Sequence, residues 1–236
     1  MSISPPVVFL PGTLCDERVW MPVWRRLDLE QKAYVPLQWA EDLAQMLALS
    51  NDRLGEFDEP VHLVGFSLGG YIAALTAIEQ PQKVASLTLL GFSAFGLTDE
   101  ETQQRQAIIK HIQQGKYRGF SEGRLKQFIS PDFQQNAAVR DVMISMSDDL
   151  GGNVLAKQMA TTTPRQDLSR ALANCDFPIN IVGGELDQIV PLPALQKLHQ
   201  VLPSSQLQVF EKTGHMLTLE QPEQVAAQLS QWLSAK

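Results

Sequence analysis

The sequence predicts an α/β protein: about six strands in a mostly parallel sheet, helices on both faces, and a helical cap insertion. Three observations carry this. Short apolar runs of strand length alternate with stretches of helical period, the pattern of a parallel sheet with crossover helices. Residues 93–174 hold helical signals and no strand signal, so a block of helices interrupts the alternation. And Ser67 stands between glycines where a strand pattern passes straight into a helix pattern. A length of 236 residues, 44% hydrophobic and 19% charged, suits one large core with an inserted piece.

Taken in order, PVVFLPG (residues 6–12) is the first strand, closed by Pro-Gly, and KAYVPL (32–37) is a second, weaker one. Residues 41–54 read as a helix, with Leu43, Met46, Leu47 and Leu54 at roughly helical spacing. VHLVGF (61–66) is the third strand, and the helix over 70–79 is stopped by Pro81. VASLTLLG (84–91), INIVGG (179–184) and LQVFE (207–211) are the remaining strands, and a helix over 222–233 follows. Inside the block, helices are predicted over 99–114, 121–129, 134–147 and 153–162. Gly115, Gly119, Pro131, Gly151-Gly152 and Pro164 punctuate them. The core is therefore expected over 1–92 and 175–236, and the cap over 93–174.

Gly65-Phe66-Ser67-Leu68-Gly69 forms a G-x-S-x-G pattern. A serine on so sharp a corner needs a strained backbone, and side chains at the flanking positions would collide with the turn. The gain is placement. The hydroxyl projects at the N-terminus of the next helix, where the dipole and free N–H groups favour a developing negative charge. A hydroxyl is a weak nucleophile at neutral pH and needs a base. His62 lies within a strand pattern and reads as packed or hydrogen-bonded; His111 and His199 lie in helical patterns among polar residues. His215 follows the last strand in FEKTGHMLTLEQP, on a loop where the sites of open α/β sheets gather.

Composition excludes several classes. The net charge is −7 and no Lys/Arg cluster appears, so nucleic acid is not an expected partner. Cys15 and Cys175 are too few for a disulfide framework, and no clustered Cys/His spacing suggests a metal. MSISPPVVFLPG has no basic segment followed by a long apolar run, and no window approaches a membrane span. A cytoplasmic protein without metal or cofactor is expected.

FLPGTLCDERVW, LVGFSLGGYIA, IVGGELDQIVP and TGHMLTLEQPEQV resemble, in this order, the recurring segments of the α/β-hydrolase superfamily. The resemblance covers nearly all of the chain outside the helical block. It implies a sheet without the first two of the family's eight strands, with the serine corner near the middle. The family order of serine, acid and histidine points to Asp187, which the turn at Val190-Pro191 leaves near a loop tip; Glu185 is the rival. The loop GFSAFGL after the preceding strand offers no carboxylate. The oxyanion hole is expected from the backbone N–H groups of Leu68 and Thr13, with Gly12 allowing close approach. Leu14, Phe66, Phe92 and Met216 are candidates for the substrate pocket, with Phe95 beside them. Cys15 reads as lining or packing.

Within the superfamily the chain is similar to small capped esterases, such as the carrier-protein methyl esterases of biotin synthesis. It is also similar to the menaquinone-pathway synthases that eliminate pyruvate with the same triad. It departs from many relatives in having Pro11-Gly12 where they have His-Gly. The implied activity is hydrolysis of a small-molecule acyl ester through an acyl-enzyme, with Ser67, Asp187 and His215 as the triad. Two alternatives stay open. A same-fold lyase or C–C bond hydrolase would turn Arg105, Arg118, Arg124 and Arg165 toward a polyanion. A non-catalytic receptor would keep the pocket and use it for a ligand.

Overall fold

A computed structural model of the chain describes Ile3 and residues 5–234. Six strands, β1 (Val7–Leu10), β2 (Lys32–Tyr34), β3 (Val61–Phe66), β4 (Val84–Leu90), β5 (Ile179–Gly184) and β6 (Gln206–Phe210), form one sheet. Their order is β2-β1-β3-β4-β5-β6, and every pairing is parallel.

The helices are α1 (Met21–Trp24), α2 (Leu43–Gly55), α3 (Leu68–Glu79), α4 (Asp99–Gln113), α5 (Glu122–Phe128), α6 (Ala137–Thr161), α7 (Ser169–Leu172), α8 (Leu192–Val201), α9 (Leu217–Glu220) and α10 (Pro222–Leu233). Strands with helical crossovers are covered on both faces, so the inner strands are apolar throughout. β1, β3 and β5 are buried along their whole length. Alternation divides their side chains between two cores. Val8, Leu10, Leu63 and Ile181 pack with Met46 of α2, Ile72 of α3 and Leu195 of α8. Val7, Phe9, Phe66 and Val182 pack on the other face with Val23 of α1 and Val225 and Leu229 of α10. Each such aliphatic side chain taken out of water contributes about 1.5–3 kcal/mol.

Helices α4 to α7 lie between β4 and β5, as the helical block predicts. Leu125 of α5 and Ile129 just after it, with Val139 and Met143 of α6, join the second core beside Phe9, Phe66 and Leu217, while Leu172 of α7 joins the first. Position in the sheet then defines the site. β1 sits between β2 and β3, so the chain leaves β1 toward one edge and β3 toward the other. The C-terminal ends of β1 and β3 open a crevice at this switch point.

One expectation needs correction. The second strand stops at Tyr34, because Pro36 has no N–H for the ladder and residues Leu37–Trp39 turn into a 3-10 helix. The two helices expected over 134–147 and 153–162 are both present within α6, separated at Gly151 by a non-helical φ of 74° and ψ of 172°. Glycine adopts that angle readily, so the segment kinks instead of ending. Helix α8 contains His199, which the sequence places in a helical pattern, while α1, α7 and α9, of four residues each, have no predicted counterpart. No helix of the described residues is long and apolar enough to cross a membrane.

Candidate active site

Ser67 joins β3 to α3 at φ 52° and ψ −112°, a conformation L-residues avoid. Its N–H donates to Leu90 O at 2.9 Å, which holds the corner against β4. The flanking glycines are required by space. A Cβ on Gly65 would lie 2.4 Å from Gly69 O, and one on Gly69 would lie 2.3 Å from Leu10 O. The N–H groups of Gly70 and Tyr71 both donate to Ser67 O, at 2.9 and 3.3 Å. The Leu68 N–H, in the first turn of α3, has no intrahelical acceptor and stands beside the serine.

Three side chains far apart in sequence form one hydrogen-bonded line. His215 Nε2 is 3.1 Å from Ser67 Oγ, and His215 Nδ1 is 2.8 Å from Asp187 Oδ2. A carboxylate can only accept, so Nδ1 carries the proton and Nε2 is left to accept from the serine hydroxyl. Asp187 and His215 are buried. Asp187 Oδ1 accepts from the N–H groups of Ile189 and Val190, at 2.8 and 2.9 Å, which fixes the carboxylate plane. Glu185 turns away and accepts the Lys212 N–H at 3.0 Å.

The histidine loop is tied from several sides. Rings of Phe66 and Phe128 stand 5.2 and 5.5 Å from the imidazole, centre to centre. A Cβ at Gly91 would come within 3.2 Å of His215 Cε1. The N–H groups of His215 and Met216 both donate to Phe128 O of α5, at 2.8 and 3.2 Å. Buried Glu220 accepts from Gly214 N–H at 2.9 Å and from Ser130 N–H at 3.0 Å through one carboxylate oxygen. Burial raises the pKa of Glu220, against the lowering effect of these backbone donors. The other histidines stand elsewhere: His62 Nδ1 meets Ser86 Oγ at 2.7 Å, His199 Nδ1 meets Ser205 Oγ at 2.8 Å, and His111 is exposed near the end of α4.

The loop after β1 supplies the other wall. Leu14 takes a positive φ of 54°, and its N–H donates to Gln158 Oε1 of α6 at 2.8 Å. The Thr13 N–H makes no hydrogen bond among the described residues and is open to an acceptor. Gly12 permits the approach: a Cβ there would meet the Phe66 ring at 2.9 Å and Ser67 Cβ at 3.4 Å. Cys15 is buried, and burial together with the neighbouring Asp16 charge pushes its thiol up to about 12. It stays protonated and lines the wall without acting as a nucleophile.

A cavity of about 570 Å³ extends from Ser67 and His215. Leu14, Phe66, Phe92 and Met216 line it, as do Thr13, Cys15 and Phe95, while Leu68 lies behind the serine. Arg105, Arg124 and Arg165 also line it; Arg118 is not part of it and donates to Gly115 O and Tyr117 O. Gln158 and Glu220 were not foreseen. Their only local signal was a polar side chain beside apolar ones, Gln158 next to Met159 and Glu220 directly after Leu219.

Comparison with known proteins agrees with this architecture. Residues 40–222 match the family model of the alpha/beta hydrolase fold. A pimeloyl-[acyl-carrier protein] methyl ester esterase from Neisseria meningitidis serogroup B is 30% identical over 186 residues, 76% of this chain and 71% of that protein. A 2-succinyl-6-hydroxy-2,4-cyclohexadiene-1-carboxylate synthase from an Enterobacter species is 29% identical over 97% of this chain and 92% of its own length. A thermophilic esterase from Thermogutta terrifontis, solved with malate bound, superposes with a TM-score of 0.85 at 21% identity, over 97% of this chain and 89% of that one. With its parallel sheet, its serine corner after β3 and a family match that spans most of its length, the chain belongs to the α/β-hydrolase fold family.

Proposed function

We propose that the chain hydrolyses carboxylic esters of small or medium acyl groups through an acyl-serine. The observation that carries this reading is the unbroken line Ser67–His215–Asp187 opening on a cavity of about 570 Å³. His215 Nε2 takes the hydroxyl proton as Ser67 Oγ bonds to the acyl carbon. The carbonyl oxygen becomes anionic and accepts from the N–H groups of Thr13 and Leu68. As the bond to the alcohol oxygen breaks, the imidazolium gives its proton to that oxygen. Water then attacks the acyl-serine with His215 again as base, and the acid leaves. Asp187 keeps the imidazole in the required tautomer and stabilises its cation. The helices within residues 93–174 act as the cap that sets acyl and alcohol preference.

The test is labelling by a fluorophosphonate with mass spectrometry, followed by turnover of a p-nitrophenyl ester series. Stoichiometric modification of Ser67 and steady release of p-nitrophenol are expected. No labelling and no turnover with any member of the series would overturn the reading and favour a receptor.

A lyase is the second reading. It is favoured by the relative from Enterobacter, which aligns over 97% of the chain, and by the arginines on the cavity wall. Labelling of Ser67 without turnover of any simple ester would select it.

A further inference from the structure

The cavity lining carries charge that the ester chemistry does not use. Arg105, Arg124, Arg165 and Lys197 line the cavity against one carboxylate, Glu101. Glu101 is already engaged, accepting the Thr98 N–H at 2.8 Å in the capping box of α4. Neither Arg105 nor Arg165 has a carboxylate within ion-pair distance among the described residues. Arg105 is held in place by neutral oxygens: Nε donates to Thr163 Oγ1 at 2.7 Å, and Nη2 to Thr162 Oγ1 at 2.7 Å and Met159 O at 3.3 Å. Arg165 lies 5.2 Å from the centre of the Tyr71 ring, one turn along the helix that begins at Ser67. Its Nε is buried and has no hydrogen-bond partner among the described residues.

Buried guanidinium groups are ordinarily paired, because an unpaired buried charge is costly. Burial lowers Arg165 to about 10, and burial with the nearby Arg165 charge lowers Arg105 to about 9, in both cases against a raising effect of the Glu101 carboxylate. Both remain cations at neutral pH, so two like charges share one wall. The chain as a whole carries −7, so this wall is a local reversal of sign that draws an anion inward.

We infer that Arg105 and Arg165 form an anion subsite in the cavity reached from Ser67, and that the physiological ester bears a free carboxylate bound there. The ester part of this inference rests on the reading of Ser67 as an acyl-accepting nucleophile. The terminal nitrogens of the Arg165 guanidinium match a carboxylate in two-point contact, and Arg105 supplies the second positive charge. The carboxylate stands on the acyl side or on the alcohol side of the ester, and substrate pairs separate the two.

The experiment measures binding apart from cleavage. In Ser67→Ala, calorimetric titration with monoethyl glutarate and diethyl glutarate is expected to show the monoanion bound about tenfold more tightly or better. Adding Arg165→Gln is expected to abolish the difference, and Arg165→Lys to restore part of it. In the unmutated protein, kcat/KM is compared for monoethyl against diethyl glutarate, and for 4-butyryloxybutanoate against its ethyl ester. A preference for the charged member of either pair supports the subsite and tells its side. Equal affinity for monoanion and diester in Ser67→Ala, or a preference that survives Arg165→Gln and Arg105→Gln alike, overturns it. Monoanion binding without any ester turnover upholds the subsite and removes the esterase reading. Turnover of the diesters with no monoanion preference removes the subsite alone.

Discussion

Gln158 Oε1 accepts the Leu14 N–H at 2.8 Å across 144 residues, so a helix inserted between β4 and β5 holds the loop that follows β1. The same side chain donates to Leu37 O at 3.4 Å, and Arg18 bridges Asp16 to Asp149 of the same helix. With Leu14 at φ 54°, the loop keeps a strained shape only because these partners over-determine it. Thr13, one residue earlier, inherits its position.

Gln158→Leu removes the acceptor and leaves a buried N–H unpaired. The expected loss of stability is about 1–3 kcal/mol, read from denaturant unfolding. With Thr13 displaced, kcat on a p-nitrophenyl ester is expected to fall about tenfold or more while KM changes little. Gln158→Glu keeps an acceptor and is expected to restore most of kcat. Unchanged kcat in Gln158→Leu would separate Thr13 from the oxyanion.

Ser67→Gly tests strain at the corner. Relief of φ 52° is worth about 1–3 kcal/mol, and the added chain entropy of glycine costs about 0.5–1 kcal/mol. A net gain of about 1 kcal/mol is expected, seen as a raised Tm, together with complete loss of turnover. In contrast, Gly69→Ala drives a methyl to 2.3 Å from Leu10 O, and backbone cannot yield as a side chain can. A lowered Tm, or failure to accumulate folded protein, is expected.

Asp187→Asn leaves the shape and exchanges an acceptor for an amide that can donate to Nδ1. The imidazole then presents the wrong nitrogen to Ser67. A fall in kcat of about 10⁴ is expected with the fold intact by circular dichroism. A loss under tenfold would assign the orienting role elsewhere.

Glu220 predicts a pH dependence of stability. Its folded pKa is raised by burial above the ordinary value of 4.5, so between the two values the folded state binds more protons than the unfolded chain. Its contribution is therefore greatest below 4.5 and declines as pH rises through the folded value. Thermal melts of the wild type and Glu220→Gln across this window are expected to diverge, the wild type losing more on going up in pH. Parallel curves would show that Glu220 does not titrate there.

Cys15 is expected to resist iodoacetamide in the native protein at pH 8, since its thiol is pushed up to about 12 and is buried. Peptide mapping before and after unfolding checks this: Cys15 should react only after denaturant is added.

The parts of the site that could be read in advance are those encoded within a few residues. The corner at Ser67 is legible because strand, glycines and helix stand side by side. Asp187 and His215 are legible because each follows a strand, and strand ends of a parallel sheet share one edge. Gln158, Glu220 and the carbonyl of Phe128 were hidden because each acts on a partner far along the chain: 144 residues for Gln158 to Leu14 and 90 for Glu220 to Ser130. Periodicity marks a buried face without saying what faces it. Gly151 is the opposite case: the break it marks is encoded locally, and it stands as the non-helical kink inside α6.

The two amides donated to Phe128 O have a mechanical outcome. The backbone of residues 215 and 216 is fastened to the end of α5, so a displacement of that helix would carry the imidazole with it and change its reach to Ser67.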